Sequence, residues 1–164
     1  MKKLVLKFGG TSVGNIEKIQ NVAKIIKKKQ DQGNQIIAVV SAMSGVTNDL
    51  VKKSKSISTK FDSKELDVLL SSGEQVSCSL LSGALIELGV KARSWLGWQI
   101  PIITNENYTS SQILKIQTEE ILNFISAKGI AVIAGFQGVN KDVRITTLGR
   151  GGSDLSAVVI AKFF

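Results

Sequence analysis

Two stretches of this chain, Ile36–Val40 and Ile130–Ala134, are apolar at every position. Successive side chains of a strand point to opposite faces, so a strand that is apolar throughout has two faces to hide and belongs inside a sheet covered on both sides. Leu4–Phe8 reads as a third such strand, broken by Lys7 and running directly into Gly9-Gly10. The segments between repeat at helical spacing. From Asn15, apolar residues recur at Ile16, Ile19, Val22, Ala23 and Ile26, with Lys27 to Lys29 at the C-terminal end, where cations suit the helix dipole, and Gly33 beyond. Ser41 to Thr47 reads as a loop leading to a helix near Asn48, and Ser54 to Lys64, rich in Ser and Lys, as a mobile connection. Glu65 to Leu88 predicts a helix with Gly73 inside it and Gly89 as its end signal. Val90–Trp95, Ile100–Thr104 and Arg144–Leu148 resemble strands. Tyr108 to Ser111 offers N-caps for a helix carrying Ile113, Ile116, Ile121, Leu122 and Ile125 and closing at Gly129, and a last helix runs from Asp154 to the end. This alternation predicts an α/β sandwich with a mainly parallel sheet. No internal repeat or low-complexity linker divides the 164 residues.

Composition narrows the chemistry. The chain contains no histidine, which removes Ser-His and Cys-His nucleophiles and His-bearing metal sites. Its single cysteine, Cys78, excludes an intrachain disulfide and a Cys-rich zinc module, and reads as a small buried helix residue in a reduced, intracellular setting. No apolar run approaches the roughly 20 residues of a membrane span. Met1-Lys2-Lys3 and Lys7 leave no room for a signal-peptide core, so the expected location is cytoplasmic, away from membranes. A net charge of +8 favours anionic ligands. The lysines cluster at 24 and 27–29 and at 52, 53 and 55, however, as solvated helix faces with few aromatics among them, and nucleic acid is not an expected partner.

Three motifs carry the functional reading. Lys7-Phe8-Gly9-Gly10-Thr11-Ser12 places two glycines after a strand, where backbone N–H groups can approach an anion and the lysine can set a charge on a phosphoryl group. Its spacing fits neither a Walker A loop nor the dinucleotide-binding glycine fingerprint, and a plain strand-to-helix turn with a surface lysine stands equally open. Ser72-Gly73-Glu74 is less informative by itself, since a helical glutamate is usually solvated. Gly149-Arg150-Gly151-Gly152-Ser153-Asp154, preceded by Thr146-Thr147, combines three glycines, an acid and an arginine suited to gripping a carboxylate bidentately. Asp154 also stands where an N-cap of the last helix is expected, with or without a catalytic role. Trp95 and Trp98 read as core or interface residues.

Taken in order, Lys7–Val13, Val40-Ser41-Ala42-Met43-Ser44-Gly45-Val46-Thr47-Asn48, Ser72-Gly73-Glu74, Trp98-Gln99, Gly135-Phe136-Gln137-Gly138 and Thr146–Asp154 resemble the aspartate kinases of the amino-acid kinase family, across essentially the whole chain. The resemblance implies a three-layer α/β/α sandwich. It also implies phosphorylation of the L-aspartate β-carboxylate by ATP and Mg2+, the committed step toward lysine, diaminopimelate, threonine and methionine. A carboxylate is already ionised at neutral pH, so such chemistry needs no histidine base. On matching positions, Lys7 and Asp154 would be catalytic, with Asp154 orienting Lys7 or the substrate. Lys7, Phe8, Gly9 and Gly10 would hold ATP phosphates. Ser41 and Thr47 would contact the substrate, Glu74 its ammonium, Arg150 its α-carboxylate, and Ser153 would add a hydrogen bond; no protein metal ligand is implied.

Family members continue past the Arg-Gly-Gly-Ser-Asp segment with the half that holds adenine and ribose and with regulatory ACT domains. Residues 1–164 therefore read as the amino-terminal part of a truncated amino-acid kinase domain, weak or inactive when isolated. The apolar ending at Ala157–Ile160 and Phe163 supports an alternative, a catalytically silent module that associates with a complementary C-terminal fragment or with a second copy as a homodimer. Acetylglutamate, carbamate and uridylate kinases are the competing readings within the fold.

Overall fold

The computed structural model describes residues 2–164. Its centre is a parallel sheet in the order β1 (Lys3–Phe8), β2 (Gln35–Val40), β6 (Ile130–Ala134), β3 (Ala92–Trp95). Both all-apolar segments are inner strands and are buried almost throughout. Their side chains divide by parity, as the pleat requires. Ile36, Ala38, Val40, Ile130, Val132 and Ala134 enter one core with α1 (Ile16–Asp31) and α3 (Ser63–Glu87). Ile37, Val39, Ala131 and Ile133 enter a second core with α4 (Glu119–Ser126) and α5 (Gly152–Phe163). The result is the expected three-layer α/β/α arrangement.

A second sheet, β5 (Ile113–Ile116), β4 (Ile102–Thr104), β7 (Gln137–Val139), β8 (Ile145–Thr147), is mixed and packs against α3 through β8. Here two expectations are corrected. The helix predicted from Tyr108–Ser111 to Gly129 is a strand followed by the short helix α4, because Ile113–Ile116 finds an antiparallel partner in β4. An isoleucine pair three residues apart suits a helix face as well as a short strand, and the free edge of β4 decides between them. The mobile connection predicted over Ser54–Lys64 shrinks to residues 58–62. α2 (Val46–Ile57) runs on with Ser54 buried and donating to the Val51 carbonyl, and Asp62 caps α3 by accepting from the Lys64 and Glu65 N–H groups. No helix among the described residues is long and apolar enough to cross a membrane.

All four strands of the central sheet end on one side, where the loops after β1, β2 and β6 meet. Ser41 N donates to the Phe8 carbonyl and Gly135 N to that of Val40. Open parallel sheets bind ligands at this carboxyl edge. Below it the core should be sensitive to truncation. Leu81 is fully buried while Val76, on the same helix, is exposed. Leu81→Ala is expected to cost about 2–5 kcal/mol and lower the urea midpoint markedly, whereas Val76→Ala should stay within about 0.5 kcal/mol of the parent.

Candidate active site

A cleft of about 580 Å3 opens at the carboxyl edge of β1 and β2, and it collects residues from five segments far apart in sequence. Of those singled out above, Lys7, Ser41, Thr47, Glu74, Arg150, Ser153 and Asp154 all line it. Phe8, Gly9 and Gly10 lie beside it. The Phe8 ring packs on the α1/α3 core, so only its backbone can serve a ligand. A Cβ on Gly10 would come within 2.7 Å of the Ala42 carbonyl oxygen, so only glycine lets the two loops approach this closely.

Helix α3 positions the inner wall. Glu74 Oε1 accepts from Ala42 N at 3.0 Å, and Ser77 Oγ donates to the Ser41 carbonyl at 2.6 Å. A Cβ on Gly73 would lie 2.8 Å from that of Ala42, which allows the loop after β2 to rest directly on the helix. Glu74 is buried, and its second oxygen, Oε2, has no hydrogen-bond partner in the protein. Burial raises its pKa from 4.5 to about 7, against a smaller opposing effect of the Ala42 N–H. A carboxylate held this way attracts a cation that can enter the cleft.

The outer wall is the β8–α5 loop. Gly149 and Gly151 both adopt the left-handed conformation, at φ of 74° and 72°, and between them Arg150 is exposed at the cleft mouth. Among the described residues Arg150 has no acidic partner, leaving its guanidinium fork available. Ser153 is buried against Gly135, where a Cβ would meet it at 3.0 Å. Asp154 does not cap α5. The N-cap is Gly151, and the Asp154 carboxylate instead reaches Lys7 Nζ at 2.9 Å. The helix begins two residues earlier than expected, which places Asp154 in its first turn, facing the end of β1. Trp95 is buried in the second core, whereas Trp98 is about half exposed.

Asp67 escaped the sequence reading. It is fully buried, and both of its oxygens accept hydrogen bonds from Thr147 and Thr109. Its signal was the spacing of Asp67, Ser71, Glu74 and Ser77, four polar residues on the buried face of one helix.

Because Glu74 titrates higher in the folded chain, its contribution to stability is present below about pH 4.5 and lost as pH rises through about 7. Comparing Glu74→Gln with the parent across that window, the urea midpoint difference should move steadily in favour of the variant as pH increases.

The sequence profile described as the amino acid kinase family matches residues 2–164. The chain is 50% identical over 161 residues to the aspartate kinase Ask_LysC of Stutzerimonas stutzeri, covering 98% of this chain and 39% of that protein. It is 49% identical over 164 residues to the aspartokinase of Rickettsia prowazekii, covering 98% of this chain and 37% of that one. The chain thus spans about two fifths of the length of these curated relatives. Among solved structures, the aspartate kinase from Synechocystis superposes with a TM-score of 0.84 at 43% identity, over 98% of this chain and 26% of that one. With the profile matching nearly every residue and the same sandwich found in a solved relative, the chain belongs to the amino acid kinase family.

Proposed function

We propose that this chain binds L-aspartate and serves its ATP-dependent phosphorylation on the β-carboxylate. The observation that carries the reading is the pairing, across one cleft, of the unpartnered Glu74 Oε2 with the unpaired Arg150. A buried anion and an exposed guanidinium suit the ammonium and α-carboxylate of an amino acid, and leave its side chain to point toward Lys7. Similarity to aspartokinases supports aspartate over the acetylglutamate, carbamate and uridylate alternatives.

ATP supplies the phosphoryl group. The β-carboxylate attacks the γ-phosphorus through one oxygen as the bond to the ADP oxygen breaks, forming an acyl phosphate with no proton to remove. Alignment and charge neutralisation are then the whole task. Lys7 neutralises charge on the transferring group while Asp154 holds its ammonium in place. Gly9 and Gly10 present backbone to the phosphates. Mg2+ would ride on the nucleotide phosphates, with no protein ligand assigned to it. The product, β-aspartyl phosphate, would feed lysine, diaminopimelate, threonine and methionine synthesis.

A second reading is favoured by one surface. Among the described residues β1 pairs only with β2, and α5 exposes Leu155, Val158 and Phe163. A complementary polypeptide that supplies an adenine- and ribose-binding half would cover these groups. Kinase activity appearing only on co-expression with such a polypeptide supports this reading, and full turnover by the chain alone removes it.

Calorimetric titration tests the main reading. L-aspartate should bind, and acetylglutamate and uridylate should not; the reverse order overturns it. Engaging the ammonium ionises Glu74, so near neutral pH aspartate binding should release protons and tighten as pH rises through about 7, visible as different heats in buffers of different ionisation enthalpy. Arg150→Lys keeps the charge and loses the fork, and should weaken aspartate about tenfold or more while leaving ATP binding nearly unchanged.

A further inference from the structure

Asp67 is not itself part of the cleft lining, lying on α3 three residues before Leu70 and about two helical turns before Glu74, yet it holds the segment that carries Arg150. Its Oδ1 accepts from Thr147 Oγ1 at 2.6 Å and its Oδ2 from Thr147 N at 2.9 Å, while Thr109 N donates to both oxygens at 3.0 Å. Thr109 has a φ of 65°, a conformation a threonine adopts only when its surroundings impose it. The two clamped segments are also joined to each other, Ser111 N donating to the Thr147 carbonyl at 2.8 Å. Two residues beyond Thr147, a Cβ on Gly149 would lie 3.3 Å from the Thr109 carbonyl oxygen, so the turn that launches Arg150 rests on the loop that Asp67 pins. Among the described residues no cation neutralises Asp67. Burial accordingly pushes its pKa up, against the opposing pull of the Thr147 and Thr109 donors. A buried acceptor with three donor groups from two separate segments fixes their relative position more strongly than a neutral side chain would.

We propose that Asp67 is a positioning residue for the α-carboxylate end of the substrate: by clamping Thr147 and Thr109 it sets the backbone from which Arg150 is presented. The inference rests on the assignment of the cleft to aspartate. It separates two walls of one site, Glu74 being built directly on α3 and Arg150 reaching its place through Asp67.

Three ligands dissect the two walls in an NMR titration of the full chain: L-aspartate, β-alanine, which lacks the α-carboxylate, and succinate, which lacks the ammonium. In Asp67→Asn the dissociation constant for aspartate should rise about tenfold, that for β-alanine should change less than about twofold, and the preference for aspartate over succinate should persist. Asp67→Ala should lose more, so that the asparagine counts as a partial rescue. Thr147→Val removes one hydrogen bond while keeping a strand-compatible shape, and should show the same selective loss on a smaller scale if Asp67→Asn fails to fold. Equal weakening of aspartate and β-alanine, or no weakening of either, overturns the proposal. Amide hydrogen exchange without ligand provides a reading independent of substrate. Protection should fall over residues 147–152 and at Thr109 while β2 and β6 keep theirs, and unchanged exchange there overturns the clamp. If the parent chain binds no aspartate, the functional assignment fails, and exchange alone decides whether Asp67 holds the loop.

Discussion

A long helix that buries carboxylates and hydroxyls must give each of them a partner, and the site depends on how α3 meets that requirement. Buried polar groups left unpaired cost on the order of 1–3 kcal/mol each, so the polar stripe on α3 dictates what packs against it. Asp67 takes Thr147 and Thr109, Ser71 offers its carbonyl to Gln137 Nε2, Glu74 takes Ala42 N, and Ser77 donates to Ser41. These contacts join the helix to the loop after β2 and to both strands of the β7–β8 hairpin. Glu74, a residue of the cleft lining, keeps one buried oxygen without a partner. On α3 itself it is the single buried side-chain oxygen without a partner among the described residues, a deficit that a ligand could fill.

The charges around the cleft differ in what they contribute. Lys7 and Asp154 form a pair in which the aspartate is largely exposed, and exposed pairs add little stability because water screens them. Its value lies in keeping the lysine ammonium at the end of β1. Glu74 is the opposite case, a buried carboxylate whose ionisation the fold opposes. On the proposed assignment a ligand cation would relieve that cost, so burial that destabilises the empty chain would favour the occupied one. Arg150 is held between two left-handed glycines, where backbone geometry and not a salt bridge sets its place.

Much of the fold was legible because it is written in periodicity. All-apolar strands and 3.6-residue spacing located β1, β2, β6, α1 and α3 within a few residues. Two strands missed in the sequence share one cause. Ile113–Ile116 fits either period, and Gln137–Val139 is a strand of three residues with a glycine in the middle; both exist because a neighbouring strand offers hydrogen bonds. Of the site, the glycine-flanked segments stood out because glycine marks where backbone must turn or approach closely. Asp67 stayed hidden because a buried acid and a solvated one look alike in sequence, and only its partners, Thr109 and Thr147, 42 and 80 residues away, tell them apart.

Sequence alone determined the layers, since strands apolar on both faces admit no other solution than a sheet covered on both sides, and it determined the family through an ordered set of motifs. Tertiary structure decided which members of those motifs meet. It turned Asp154 from a helix cap into the partner of Lys7, placed Glu74 and Arg150 across one cleft, and set Asp67 beneath the loop between them. The physical reason is that a charge acquires its role from burial and from the groups within hydrogen-bond reach, and both are properties of packing between segments distant along the chain.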